Sequence, residues 1–281
     1  TRYISVTGVQ TCALPISRSS FARALAGLDI IPMNTPKNSY RFARSLLWLV
    51  ALMPQILWSA PNAAIVRTAT GAYRYESMDG AAPRGQERFQ LLVHPDGTRT
   101  MMMWHDLAAK GAQFTVVLTV DAGFQPREAY VKYWNDGRYK GSTFFRREGD
   151  IMTGEADGAA GRRSQRVTLP ARFSMGTHPV AGDGWHTANA DPTRSGVQEV
   201  ALLSLEAGSD VTKPILGQIV PLKVERLGEE SVTVPAGTFA TTHYRLAGIN
   251  DIWVTGPDLL VVKSEIPARG LRYSLVEFDA R

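Results

Sequence analysis

Between residues 231 and 278 the chain alternates short β-rich runs with turn-forming residues, and this rhythm restricts the fold more than any other sequence feature. In succession it reads SVTV, PAG, TFATTHYRLAG, IND, IWVT, GPD, LLVVKSEI, PARG and LRYSLVEF. Turn signals about every 8–12 residues between such runs are the pattern of an antiparallel meander in a barrel or sandwich. The fold predicted is mainly β: a single antiparallel curved sheet or open barrel with few short helices.

The upstream half repeats the pattern. Residues 73–76 alternate apolar and polar, and residues 87–94 and 98–104 flank the turn Pro95-Asp96-Gly97. Met101-Met102-Met103-Trp104 sends large apolar groups to both faces, which predicts a strand buried on both sides. Residues 105–111 read as a helical turn or loop. Pro126 places the start of the next strand at an edge or bulge, and Asn135-Asp136-Gly137 is the strongest hairpin turn. Residues 157–163 read as a flexible surface loop, 176–196 as the longest irregular stretch, and 198–206 as ambiguous between helix and strand. Pro214 and Pro221 mark an edge in the run that follows.

The N-terminal residues carry a different signal. Residues 6–16 resemble a translated sequencing adapter, so residues 1–32 are expected to be artefactual or untranslated upstream sequence. From Met33, the bases Lys37, Arg41 and Arg44 precede an apolar run over 46–58 and a small-residue exit. That is the layout of a secretory signal peptide over 33–64, cleaved near Ala63 or Ala64. Thirteen residues broken by Pro54 and Gln55 are too few to span a bilayer, which needs about 20. The expectation is a periplasmic or secreted protein with no membrane span after cleavage, in which residues 65–281 form a single antiparallel β domain.

Trimming removes the charge asymmetry. The chain has 31 basic and 26 acidic residues, a formal charge of +5. Six of the bases and one acid, Asp29, precede residue 65, leaving 25 of each. A basic excess confined to discarded segments points to no nucleic-acid partner. Cys12 is the only cysteine, so residues 65–281 can form neither a disulfide nor a thiolate metal site.

The motifs VPAGTF, HYRLAG, DIWVTGPDLLVVKSE and GLRYSLVEF, with Pro235, Ala236, Gly237, Trp253 and Asp258 clearest, resemble the uncharacterised periplasmic domain-of-unknown-function family 3108. Such families are similar in outline to the LolA/LolB lipoprotein carriers. The resemblance implies a curved sheet able to hold an acyl chain, and no assigned activity.

Chemical signatures are sparse. There is no G-x-S-x-G elbow, phosphate loop, dinucleotide fingerprint or H-E-x-x-H, and no cofactor or metal is predicted. The weak catalytic candidates are His178, Asp183 and His186, within nine residues of a Gly-rich loop. They could converge as two imidazoles and a carboxylate, or Asp183 could orient a histidine base, for an envelope hydrolase or isomerase. The bland reading is a turn flanked by two hydrogen-bonded histidines. His243 and Arg245 share a strand face and suggest a polar lumen or rim, whereas His105 and Asp106 face apart and receive no joint role. Met103, Trp104, Tyr244, Trp253 and Leu260, with His243 and Arg245, are the weak ligand-binding candidates, for a lipid or other apolar small molecule on an inner sheet face. An envelope partner protein docking on a sheet edge is the remaining expectation.

Overall fold

The computed structural model describes residues 65–80, 83–107 and 110–281. Residues 1–64, with the adapter-like segment, the expected signal peptide and Cys12, lie outside them. Eight strands come first: β1 (Arg67–Ser77), β2 (Pro83–Val93), β3 (Arg99–Leu107), β4 (Ala112–Val120), β5 (Pro126–Asn135), β6 (Arg138–Glu148), β7 (Ile151–Gly158) and β8 (Arg163–Thr168). A short β9 (Ser174–Gly176) leads into a 3-10 helix, Val180–Asn189. Then follow β10 (Val197–Leu205), β11 (Gly217–Val234), β12 (Gly237–Leu246), β13 (Asn250–Thr255), β14 (Leu260–Ile266) and β15 (Leu271–Ala280).

All of these strands belong to one 15-stranded sheet. From β1 the chain meanders outward to β8 at one edge, then reappears as β9 at the other edge and meanders back to β15, which pairs with β1. Every pair is antiparallel except β9–β10. Residues 169–173 alone connect the two edge strands. Six backbone steps reach about 20 Å at most, so the sheet must curl until its edges lie near each other.

Turn chemistry drives the hairpins as expected. Asp136 and Gly137 both take positive φ, 50° and 70°, which the two-residue turn joining β5 to β6 requires. Pro126 sits at the β4–β5 register shift. Pro221 lies where β11 pairs with β10 but not yet with β12, so its missing N–H costs no ladder bond.

Burial alternates along β2 to β5. Met101, Met103, Val116, Val131 and Tyr133 are fully enclosed on one face, each worth roughly 1.5–3 kcal/mol. β3 corrects the expectation of two buried faces: Met102 is half-buried and Trp104 is 46% exposed. It also absorbs His105, which stands in the strand and not in a turn. Residues 198–206 resolve to strand, and the irregular stretch holds the 3-10 helix, whose Val180, Ala181, Trp185, His186 and Thr187 are buried. Residues 163–168, read partly as loop, form edge strand β8.

Candidate functional site

Polar groups gather on the inner face around Glu87, which has no exposed surface. β2 carries Glu87 in the same inward register as Phe89, Leu91 and Val93. The backbone N–H groups of Val180 and Ala181 donate to its two carboxylate oxygens at 2.9 Å each. Tyr75 donates its hydroxyl proton to Glu87 Oε2, and His105 Nδ1 lies 3.2 Å from the same oxygen. A carboxylate accepts only, so it satisfies the first N–H groups of the 3-10 helix that would otherwise lack partners. Burial, and then the Glu87 charge, push the Tyr75 hydroxyl well above its ordinary value, which keeps it a donor.

His105 Nδ1 also lies 2.8 Å from Tyr75 Oη. Because the Tyr75 proton goes to Glu87, the Tyr75 oxygen accepts, and the neutral tautomer of His105 that fits has its proton on Nδ1. Its Nε2 is buried and has no hydrogen-bond partner. His178 packs beside it, with ring centroids 5.2 Å apart and planes 71° apart, and lies 4.3 Å from Phe114. His178 retains accessible surface, yet the protein surrounding it, followed by the charges of His105 and Arg269, pushes its pKa down to about 3. It also takes φ 84°, a left-handed conformation that costs a non-glycine residue of order 1–3 kcal/mol.

The three weak catalytic candidates separate into two neighbourhoods. His186 Nε2 is 3.6 Å from Asp183 Oδ1, and Asp183 Oδ2 accepts from Asn250 Nδ2 at 2.8 Å. His178 belongs instead with His105 and Phe114. Among the described residues, no group of three or more His, Cys, Asp or Glu side chains is placed to hold a metal ion.

His243 and Arg245 belong to a second cluster, across β11–β14. His243 stacks on Trp253 at 4.1 Å with planes 18° apart, and Lys263 Nζ sits 3.6 Å from the Trp253 ring centroid. Trp253 Nε1 donates to Glu230 Oε1 at 2.6 Å, and Arg245 pairs with Asp251 at 3.0 Å. The register sets His243 opposite Trp253 and Tyr244 opposite Ile252, so Trp253 and Tyr244 lie on opposite faces and do not share one inner wall. Tyr244 instead lines an open groove of about 400 Å³ with Glu229, Glu230, Thr241, Thr242 and Leu259. Leu260 and Met103 are core residues. Core side chains and buried residues of the 3-10 helix pack together on the inner face.

A third feature lies on the opposite face of β3–β6. Trp104, Tyr130, Trp134 and Phe144 are 39–46% exposed. Cross-strand register sets Met102, Val117, Tyr130 and Phe144 in one row and Arg88, Trp104, Thr115 and Lys132 in the next. Sequence reading singled out Trp104 but missed this surface, because both faces of β3 were assigned to the interior.

No protein-family model matches the chain, so the resemblance to family 3108 finds no support there. No curated protein matches it either. Among solved structures the chain is similar to a β-barrel-like protein of domain of unknown function DUF1849 from Brucella abortus, with a TM-score of 0.47 and 8% identity over 77% of this chain and 98% of that one. It is also similar to a DUF1089 family protein from Pseudomonas aeruginosa, with a TM-score of 0.36 and 14% identity over 63% and 87% of the two chains. A Bacteroides fragilis protein described as exported, with a YmcC-like fold, gives a TM-score of 0.27 and 12% identity over 75% and 95%. No helix among the described residues is long and apolar enough to cross a membrane.

Proposed function

We propose that this chain is an exported, non-enzymatic lipid-binding protein that meets lipid on the outer face of β3–β6. The observation that carries the reading is the set of exposed aromatic side chains on this face, Trp104, Tyr130, Trp134 and Phe144. Aromatic rings with polar handles settle at the boundary between headgroups and acyl chains, and long basic side chains extend past them toward phosphates. Such bases are at hand: Lys132 Nζ lies 5.9 Å from the Tyr139 ring and the Arg146 guanidinium 5.6 Å from that of Phe144. The packing of core residues and the 3-10 helix on the inner face favours this surface over an acyl chain held inside the sheet, and the signal-peptide layout before residue 65 supports export.

Co-sedimentation of the full chain with vesicles of phosphatidylethanolamine and phosphatidylglycerol tests this reading. Wild type is expected to pellet with vesicles, and the triple variant Trp104→Ser/Tyr130→Ser/Phe144→Ser to stay in the supernatant while keeping its circular-dichroism spectrum. Equal partitioning of the two proteins would sink the proposal.

A further inference from the structure

We propose that His105 and His178 form a two-imidazole binding site for a borderline transition-metal cation, Cu²⁺ or Zn²⁺, on the inner face of the sheet. The site is distinct from the lipid-binding face and does not depend on it. A histidine becomes a metal ligand when one ring nitrogen offers a lone pair and the other donates to a carboxylate that fixes tautomer and orientation. His105 meets both conditions. Its Nδ1 faces Glu87 and Tyr75, and its Nε2 is buried with no partner on a side chain only 5% exposed.

His178 supplies the second imidazole. Two rings bound to one ion through Zn–N distances of about 2.0–2.1 Å have centroids roughly 4.5–5 Å apart, and the two here are separated by 5.2 Å. The separation of the two rings is therefore close to that of two imidazoles sharing one ion. The positive φ of His178 holds a histidine where a glycine would sit without strain. The charge of Arg269 bears on His178 and opposes a cation, while the Glu87 carboxylate behind His105 offsets it. Two protein donors leave the remaining positions to water or an exogenous ligand. Imidazole donors favour Cu²⁺, Ni²⁺ and Zn²⁺ over Mg²⁺ and Ca²⁺, with Cu²⁺ tightest.

Isothermal titration of the untagged full chain with CuSO₄, NiCl₂, ZnCl₂ and MgCl₂ provides the test, with His178→Ala as the main variant because its side chain is accessible. Wild type should bind one equivalent of Cu²⁺ more tightly than Zn²⁺ and show no heat with Mg²⁺. His178→Ala should weaken binding roughly tenfold or more with an unchanged circular-dichroism spectrum, and His186→Gln should leave it intact. Electron paramagnetic resonance of the Cu²⁺ form should show coupling to two imidazole nitrogens, one of them lost in His178→Ala. Unchanged affinity in His178→Ala, absence of Cu²⁺ binding in wild type, or a spectrum without imidazole coupling would each overturn the proposal.

Discussion

Gln165 on β8 uses both atoms of its side-chain amide to hold the backbone of Gly217 on β11. The Gly217 N–H donates to Oε1 at 2.8 Å, and Gln165 Nε2 donates to the Gly217 carbonyl. This pair imitates one rung of a β-ladder between strands that are far apart in sheet order. Nearby inner-face side chains reinforce it: Lys140 Nζ donates to the carbonyls of Gly208 and Asp210, and Thr143 Oγ1 to that of Ile215. The curled edge is therefore fastened by side chains.

Gln165→Ala should cost about 1–2 kcal/mol, since it leaves a backbone donor and acceptor without their partners. Amide exchange in β8 should accelerate more than exchange in β5, because the loss is local. Gln218→Ala, at an exposed neighbouring position, should stay within about 0.5 kcal/mol. Urea denaturation with residue-resolved hydrogen exchange measures both effects, and equal destabilisation by the two variants would refute the fastening role.

The 3-10 helix offers a sharper contrast. A Cβ placed on Gly184 would come within 1.9 Å of the Leu259 carbonyl oxygen, whereas one on Gly182 meets nothing nearer than Met103 Sδ at 3.6 Å. Gly184→Ala must push backbone against backbone and should cost about 3 kcal/mol. Gly182→Ala only fills ordinary contact space and should be near neutral. Thermal denaturation of the two alanine variants checks the packing of this helix against the start of β14.

Much of the meander was legible because turns are local. Asn135-Asp136-Gly137 and Pro95-Asp96-Gly97 specify their hairpins through φ values that few residues adopt. The β1–β15 pairing was not legible, since it joins residues about two hundred positions apart and leaves no local mark. Glu87 shows a signal that was present but unread: alternation puts it in register with Phe89, Leu91 and Val93, so a charge there had to be buried and partnered. His105 shares the register of Met101 and Met103 in the same way. Residues 176–196 read only as an irregular stretch, yet Gly184 within them allows close backbone approach to Leu259.

Asp258 gives a pH-dependent test. Its carboxylate accepts from Arg67 at 2.7 Å and Arg99 at 2.9 Å, while its backbone carbonyl accepts from Trp185 Nε1. Burial raises the carboxyl pKa, but hydrogen bonds and charge from the two arginines outweigh it and hold the group below its ordinary value. A lowered folded-state pKa stabilises the protein above the unfolded value, near pH 4, and that contribution disappears as the pH falls through the folded value. Asp258→Asn should cost about 2–3 kcal/mol at pH 7 through the unpaired Arg99. The gap from wild type should narrow below pH 4. Chemical denaturation at pH 7, 4 and 3 reads this directly, and a gap constant with pH would contradict the assignment.

Glu87 joins β2 to the 3-10 helix, and its neutral isostere isolates that role. In Glu87→Gln the amide offers one acceptor oxygen and one NH₂ donor in place of two acceptors. The NH₂ group must then face either the Ala181 N–H in the place of Oε1 or the Val180 N–H, Tyr75 and His105 in the place of Oε2, so at least one buried donor loses its partner. The expected cost is about 2–4 kcal/mol, against about 1 kcal/mol for Tyr75→Phe, which removes a single neutral hydroxyl. Because the lost bonds begin the helix, limited proteolysis should cut within residues 178–190 of Glu87→Gln under conditions that spare wild type. Resistance equal to wild type, together with a stability loss below that of Tyr75→Phe, would show that the carboxylate does not anchor the segment.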